Sequence, residues 1–90
     1  MPAKVTTVDL QPAYAAQQNS LRRTRDAIRR AEDTITATLR MAPTPATIVV
    51  RKVAVDLALP RSTVKLALLS LMHRGAVHLG EGYEVTLADR

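Results

Sequence analysis

The stretch LPRSTVKLALLSLMHRGAV, residues 59–77, decides the fold. Pro60 suits a helix start, because the N–H it lacks would have no intrahelical acceptor there. Val64, Ala67, Leu68, Leu71 and Met72 follow at the spacing of one helical face and predict its buried stripe. Gly75 is the residue type that ends helices in a left-handed conformation, and Arg74 stands beside the negative helix end. Leu66 and Leu69, however, fall where the outer face of such a helix should be polar.

The neighbouring segments give this helix its context. Upstream, TIVVRKVAVDLA (residues 47–58) has the β-branched content of a strand, but Val50, Val53, Ala54 and Leu57 also form a helical stripe. One short turn before a second helix, the helical assignment is preferred for Val50 to Leu57, with Ile48 as a minimal strand. Before it, APTPA (residues 42–46) cannot continue a helix, since the residue preceding each proline is pushed toward extended geometry. Downstream, Ala76–Leu79 and Tyr83–Leu87 flank Gly80-Glu81-Gly82, which predicts a hairpin.

From Pro12 to Met41 the chain is rich in helix-tolerant residues, with Asn19-Ser20 as an expected interruption and Ser20 as a new N-cap. Leu21, Ile28 and Ile35 repeat every seven residues, with Thr24, Ala31 and Thr38 between them. Arg22, Arg23, Arg25, Arg29 and Arg30 lie opposite. The spacings Arg22–Asp26, Asp26–Arg30 and Arg29–Asp33 predict i,i+4 pairs worth about 0.2–0.5 kcal/mol each. The arginines therefore read as a salt-laced solvated face in preference to a phosphate-binding one. Residues 1–11, with Val5, Thr6, Thr7 and Val8, read as an arm. Residues 12–90 form a single domain: long helix 12–41, two helices within 50–74, hairpin 76–87.

Composition bounds the function. Ninety residues bury only about 60–65% of their unfolded surface, so the core is small and dimerisation is expected to add to it. With two Tyr and no Phe or Trp, that core must be built from Ala, Val, Leu and Ile. The absence of cysteine excludes disulfides and thiolate metal sites. The N-terminus has no apolar core of a secretory signal, and no run approaches the ~20 apolar residues that span a bilayer, so a cytoplasmic protein is expected. A net charge of +5 favours polyanionic partners. No nucleophilic cysteine, Gly-rich phosphate loop or Ser/His/Asp spacing suggests an enzyme. His73 and His78, with Glu81 or Asp89, are too loosely spaced to be read as metal ligands. No cofactor or small-molecule ligand is evident.

The order long helix, short strand, helix, tight turn, helix, hairpin is that of a winged helix-turn-helix. The segments LALPRSTVKLALLSLMHRGAV and HLGEGYEVT resemble the winged-helix domains of IclR-, GntR- and MarR-type bacterial transcription regulators over about residues 47–87. Ala54 stands at the expected helix crossing, Leu57 and Leu59 bracket the turn, and Ala58 replaces the usual glycine, which a helix-compatible turn should absorb. The resemblance implies that the helix from Pro60 to His73 enters the major groove of double-stranded DNA. Arg61, Ser62, Thr63, Lys65, Leu66 and Arg74 would make the contact, with Arg51, Lys52 and His78 as phosphate contacts. Arg61 suits guanine or phosphate; Ser62 and Thr63 suit phosphate or a capping role. Leu66 packs or meets a thymine methyl, and Leu69 is expected to pack on the long helix or on a dimer partner.

A homodimer is expected through Leu21, Ile28, Ile35 and Leu69. The implied function is a small transcription regulator, such as a repressor, or a plasmid or phage accessory DNA-binding factor. With the wing last in the sequence, no ligand-sensing domain is expected after it. The acidic wing tip, Glu81, departs from wings that grip DNA with Arg or Lys. It keeps open an alternative: a winged helix used for protein contact without DNA.

Overall fold

The computed structural model describes the backbone of residues 2–88 and the side chains of residues 20–88. Helix α1 (Pro2–Met41) is followed by strand β1 (Thr44–Pro45), helices α2 (Ala46–Leu57) and α3 (Arg61–His73), and strands β2 (Val77–Leu79) and β3 (Glu84–Leu87). The protein is mainly helical, with one small antiparallel sheet in the order β1-β3-β2.

The core contains only the aliphatic residues that the composition provides. Ala31, Ile35 and Leu39 of α1 meet Val49, Val50, Val53 and Ala54 of α2 and Val64, Ala67, Leu68 and Leu71 of α3. Val77, Val85 and Leu87 close it from the sheet. Val and Ala on facing helices leave little volume between axes, so close approach replaces the aromatic filling that larger cores use. Leu57, Leu59 and Met72 pack partly buried at its edge.

Both short helices end in the same hydrogen-bond pattern. At the end of α2, the Ala58 and Leu59 N–H groups donate to the carbonyls of Val55 (3.2 Å) and Ala54 (2.9 Å). At the end of α3, Gly75 and Ala76 donate to Met72 (3.0 Å) and Leu71 (2.9 Å). Each is a Schellman closure, which needs a left-handed residue. Gly75 supplies it at φ 74° without a steric cost. Ala58 adopts it at φ 53°, ψ 44°. The α2–α3 turn is therefore not the helix-compatible one expected from an alanine at this position.

Several sequence expectations are corrected. The helix begins at Pro2, so residues 2–11 belong to α1 and not to a separate arm, and it passes Pro12 and Asn19-Ser20 unbroken. An internal proline removes one i→i−4 hydrogen bond, and the helix-tolerant residues around it carry the helix through. Ser20 is not a cap; its carbonyl accepts the Thr24 hydroxyl (3.0 Å). Similar bonds run from Thr36 to Glu32 (2.9 Å) and from Thr38 to Thr34 (2.9 Å), which satisfies the hydroxyls within the helix.

The first strand is not Ile48, which lies in α2, but Thr44–Pro45 within the proline connector. Pro45, at φ −56° and ψ 142°, is already extended. Lacking an N–H, it can occupy only an edge strand, which is what β1 is. Thr44 pairs with Val85 and Pro45 with Glu84.

On the other side of β3, Val77, His78 and Leu79 pair with Leu87, Thr86 and Val85. The β2–β3 connection is a tight turn closed by the Tyr83 N–H donating to the Gly80 carbonyl (3.2 Å), in which Gly82 (φ 74°) and Tyr83 (φ 63°) are both left-handed. The turn thus extends one residue past the expected Gly80-Glu81-Gly82, and β3 starts at Glu84.

Candidate nucleic-acid interface

The outer face of α3 is set by which of its residues the core takes. Val64, Ala67, Leu68 and Leu71 turn inward. That leaves Arg61, Ser62, Lys65, Leu66, Leu69 and His73 exposed, with Thr63 half-buried. Arg61 and Lys65 stand one turn apart on the same side of the helix. Neither Ser62 nor Thr63 caps α3, whose N-cap is Pro60 without a side-chain bond. The Pro60 carbonyl accepts the Thr63 and Val64 N–H groups at 3.1 and 3.3 Å. Among the described residues the amides of Arg61 and Ser62 have no protein acceptor. A positively polarised helix end therefore coincides with the Arg61 side chain, an arrangement suited to an anionic oxygen.

The tertiary structure adds a cation from a different helix. Arg51 of α2 lines the same groove as Arg61 and Lys65, and no carboxylate lines it. Lys52 is exposed on α2 and is not among the residues that line that groove. His78 is exposed on β2 opposite Thr86, on the face away from Val77 and Leu79.

Arg74 has another role. It follows α3 directly and pairs with the Glu32 carboxylate of α1, which Ser70 Oγ also approaches at 3.4 Å. Its guanidinium is committed to joining α3 to α1, about 20 Å along the helix from Arg61 by helical rise. Glu32 was not singled out in the sequence, since its partners lie 38 and 42 residues away. Among the described residues, the expected pairs Arg22–Asp26, Asp26–Arg30 and Arg29–Asp33 do not close, and all five arginines from Arg22 to Arg30 are exposed.

The expected dimer residues divide. Ile35 is fully buried in the core of its own chain and is removed from any subunit contact. Ile28 is half-buried against that core. Leu21 is 56% exposed and Leu69 57% exposed, so Leu69 does not pack on α1. Leu66, at 52%, does not pack within the chain either. Glu81 is exposed at the hairpin tip, and Asp89 lies outside the described residues.

Among the described residues, no helix is long and apolar enough to cross a membrane. Comparison with known proteins finds no family model, no curated protein and no solved structure that matches this chain.

Proposed function

We propose that the chain is a winged helix-turn-helix that binds double-stranded DNA as a small homodimeric regulator in the cytoplasm, with α3 as the helix that enters the major groove. The observation that carries this reading is the cluster of Arg51, Arg61 and Lys65 around one groove at the N-terminal half of α3, with no acid among them. The element order supports it: a helix, an edge strand, two helices joined by a tight turn, and a hairpin whose second strand is central in the sheet. This order leaves α3 with a solvent-facing side while its other side is held by α1 and α2.

Arg61 and the free amides of the first turn grip the backbone or a guanine edge, and Lys65 and Arg51 add phosphate charge. Few groups on α3 can read bases, because Leu66 and Leu69 occupy two turns of its outer face. A single subunit then discriminates poorly. Two half-sites on a dimer compensate, and the exposed Leu21 on the long α1 offers the apolar contact for such a dimer.

Selection from random-sequence duplex DNA tests the reading. Enrichment of a palindromic motif is expected. A chain that enriches no sequence, or that scatters light as a monomer at micromolar concentration, overturns it.

A further inference from the structure

We propose that the groove between α2, α3 and β2 docks an acidic amphipathic helix of a partner protein, and that this helix and DNA exclude each other because both require Arg61 and Lys65. The exclusion rests on the DNA reading above; the docking does not.

The groove encloses about 400 Å3. Its floor is apolar, formed by Val50 and Leu68, and Leu69 and Leu79 stand at its sides while still 57% and 41% exposed. Single exposed leucines are ordinary on a protein surface. Two that converge on a concavity with an apolar floor form one continuous apolar surface into which a partner's side chains can pack. The rim carries Arg51, Arg61 and Lys65.

A duplex alone satisfies only half of this surface. Phosphates neutralise the rim, but a hydrated backbone gives the leucines nothing to pack against. An acidic amphipathic helix matches both halves. Apolar side chains at i, i+3, i+4 and i+7 enter the groove, and flanking carboxylates meet the cations. Two packed helices also present a ready seat for a third, whose ridges fit between theirs. The leucines that are out of place on a base-reading helix are then the anchors for the partner.

The probe is a fluorescein-labelled peptide about 15 residues long, near the length at which an isolated helix becomes viable. It carries Leu at i, i+3, i+4 and i+7 with Glu on both flanks. One control replaces every Glu with Lys, and a second replaces every Leu with Ser. Anisotropy with the full chain should show the acidic peptide binding at least tenfold more tightly than either control. Leu69→Glu, at an exposed position, should weaken it at least tenfold, whereas Leu66→Glu, outside the groove, should change it by less than about threefold. Circular dichroism of both variants should match the parent.

Equal binding of the lysine control overturns the charge match, and equal binding of the serine control overturns the apolar one. Equal losses in the two leucine variants overturn the location. A parent dimer that Leu69→Glu converts to a monomer assigns the groove to a second copy of this chain and overturns the partner. Unlabelled acidic peptide should release a labelled duplex from the chain; a ternary complex overturns the exclusion. A chain that binds the peptide but no duplex keeps the docking site and removes the DNA reading.

Discussion

The Glu32 carboxylate of α1 holds the Arg74 guanidinium just beyond the end of α3, with the Ser70 hydroxyl beside the same oxygen. Glu32 is 15% exposed and Arg74 58%, so the pair sits at the margin of the core. It fixes the C-terminal end of α3 to the long helix and leaves the N-terminal end, with Arg61 and Lys65, facing outward.

This pair should be measurable as a coupling. Exposed ion pairs contribute up to about 1 kcal/mol, and Glu32→Ala and Arg74→Ala should each cost about that much. In a double-mutant cycle the double variant should be no worse than the weaker single one by more than about 0.5 kcal/mol. Urea unfolding at low and high salt checks both the coupling and its screening. Fully additive losses would show that the two residues act separately.

The two helix ends make opposite predictions. A left-handed conformation costs an L-residue about 1–2 kcal/mol, part of which a glycine loses again through its freer unfolded chain. Ala58→Gly should therefore stabilise the protein by about 0.5–1 kcal/mol, and Gly75→Ala should destabilise it by a similar amount. No atom lies within 4 Å of the Cβ added at Gly75, so the second effect is conformational and not steric. Thermal melts of both variants check the signs.

Burial separates two apolar residues that both read as dimer contacts in the sequence. Ile35→Ala empties volume from a fully buried site and should cost about 2–5 kcal/mol. Leu69→Ala removes an exposed side chain and should stay within about 0.5 kcal/mol of the parent. A large loss for Leu69→Ala in denaturant unfolding would mean that α3 is covered in solution.

On DNA, Arg61→Ala should cost about 1–3 kcal/mol on the favoured site and relax its specificity. Lys65→Ala should weaken all sequences alike and reduce the salt slope by about one. Arg74→Ala, with its charge already held by Glu32, should weaken binding less than either. Salt titrations on matched and unmatched duplexes distinguish the three. Arg61 and Lys65 variants that bind like the parent would remove α3 as the contact.

Glu81→Lys tests where the hairpin lies. If the tip runs beside the DNA backbone, replacing an acid by a base should tighten binding and steepen its dependence on salt. Stability should barely move, because Glu81 is exposed. Unchanged affinity and slope would take the hairpin off the binding surface.

The sequence by itself determined what depends on neighbours within a turn or two. The apolar spacing from Val64 to Leu71 set the buried face of α3, Gly75 set its end, and Gly80-Glu81-Gly82 placed the hairpin to within a residue. The lack of Phe and Trp set an aliphatic core. Each of these follows from local propensity and periodicity, which the chain carries wherever it folds.

The tertiary structure decided what requires residues far apart. Thr44–Pro45 is a strand only because β3 lies beside it. Ala58 is left-handed because α3 must pack back on α2, which overrides alanine's own preference. The repeat Leu21, Ile28, Ile35 looks uniform in sequence. It grades from exposed to fully buried because, among the described residues of α1, the other helices and the sheet cover those from about Ile28 onward. Arg74 and Arg61 carry the same charge, yet Glu32, 42 residues away, takes one of them for the fold. The joining of Arg51 to Arg61 and Lys65 around one groove has the same origin: the angle between two helices, which no local spacing encodes, brings side chains from separate elements to one place.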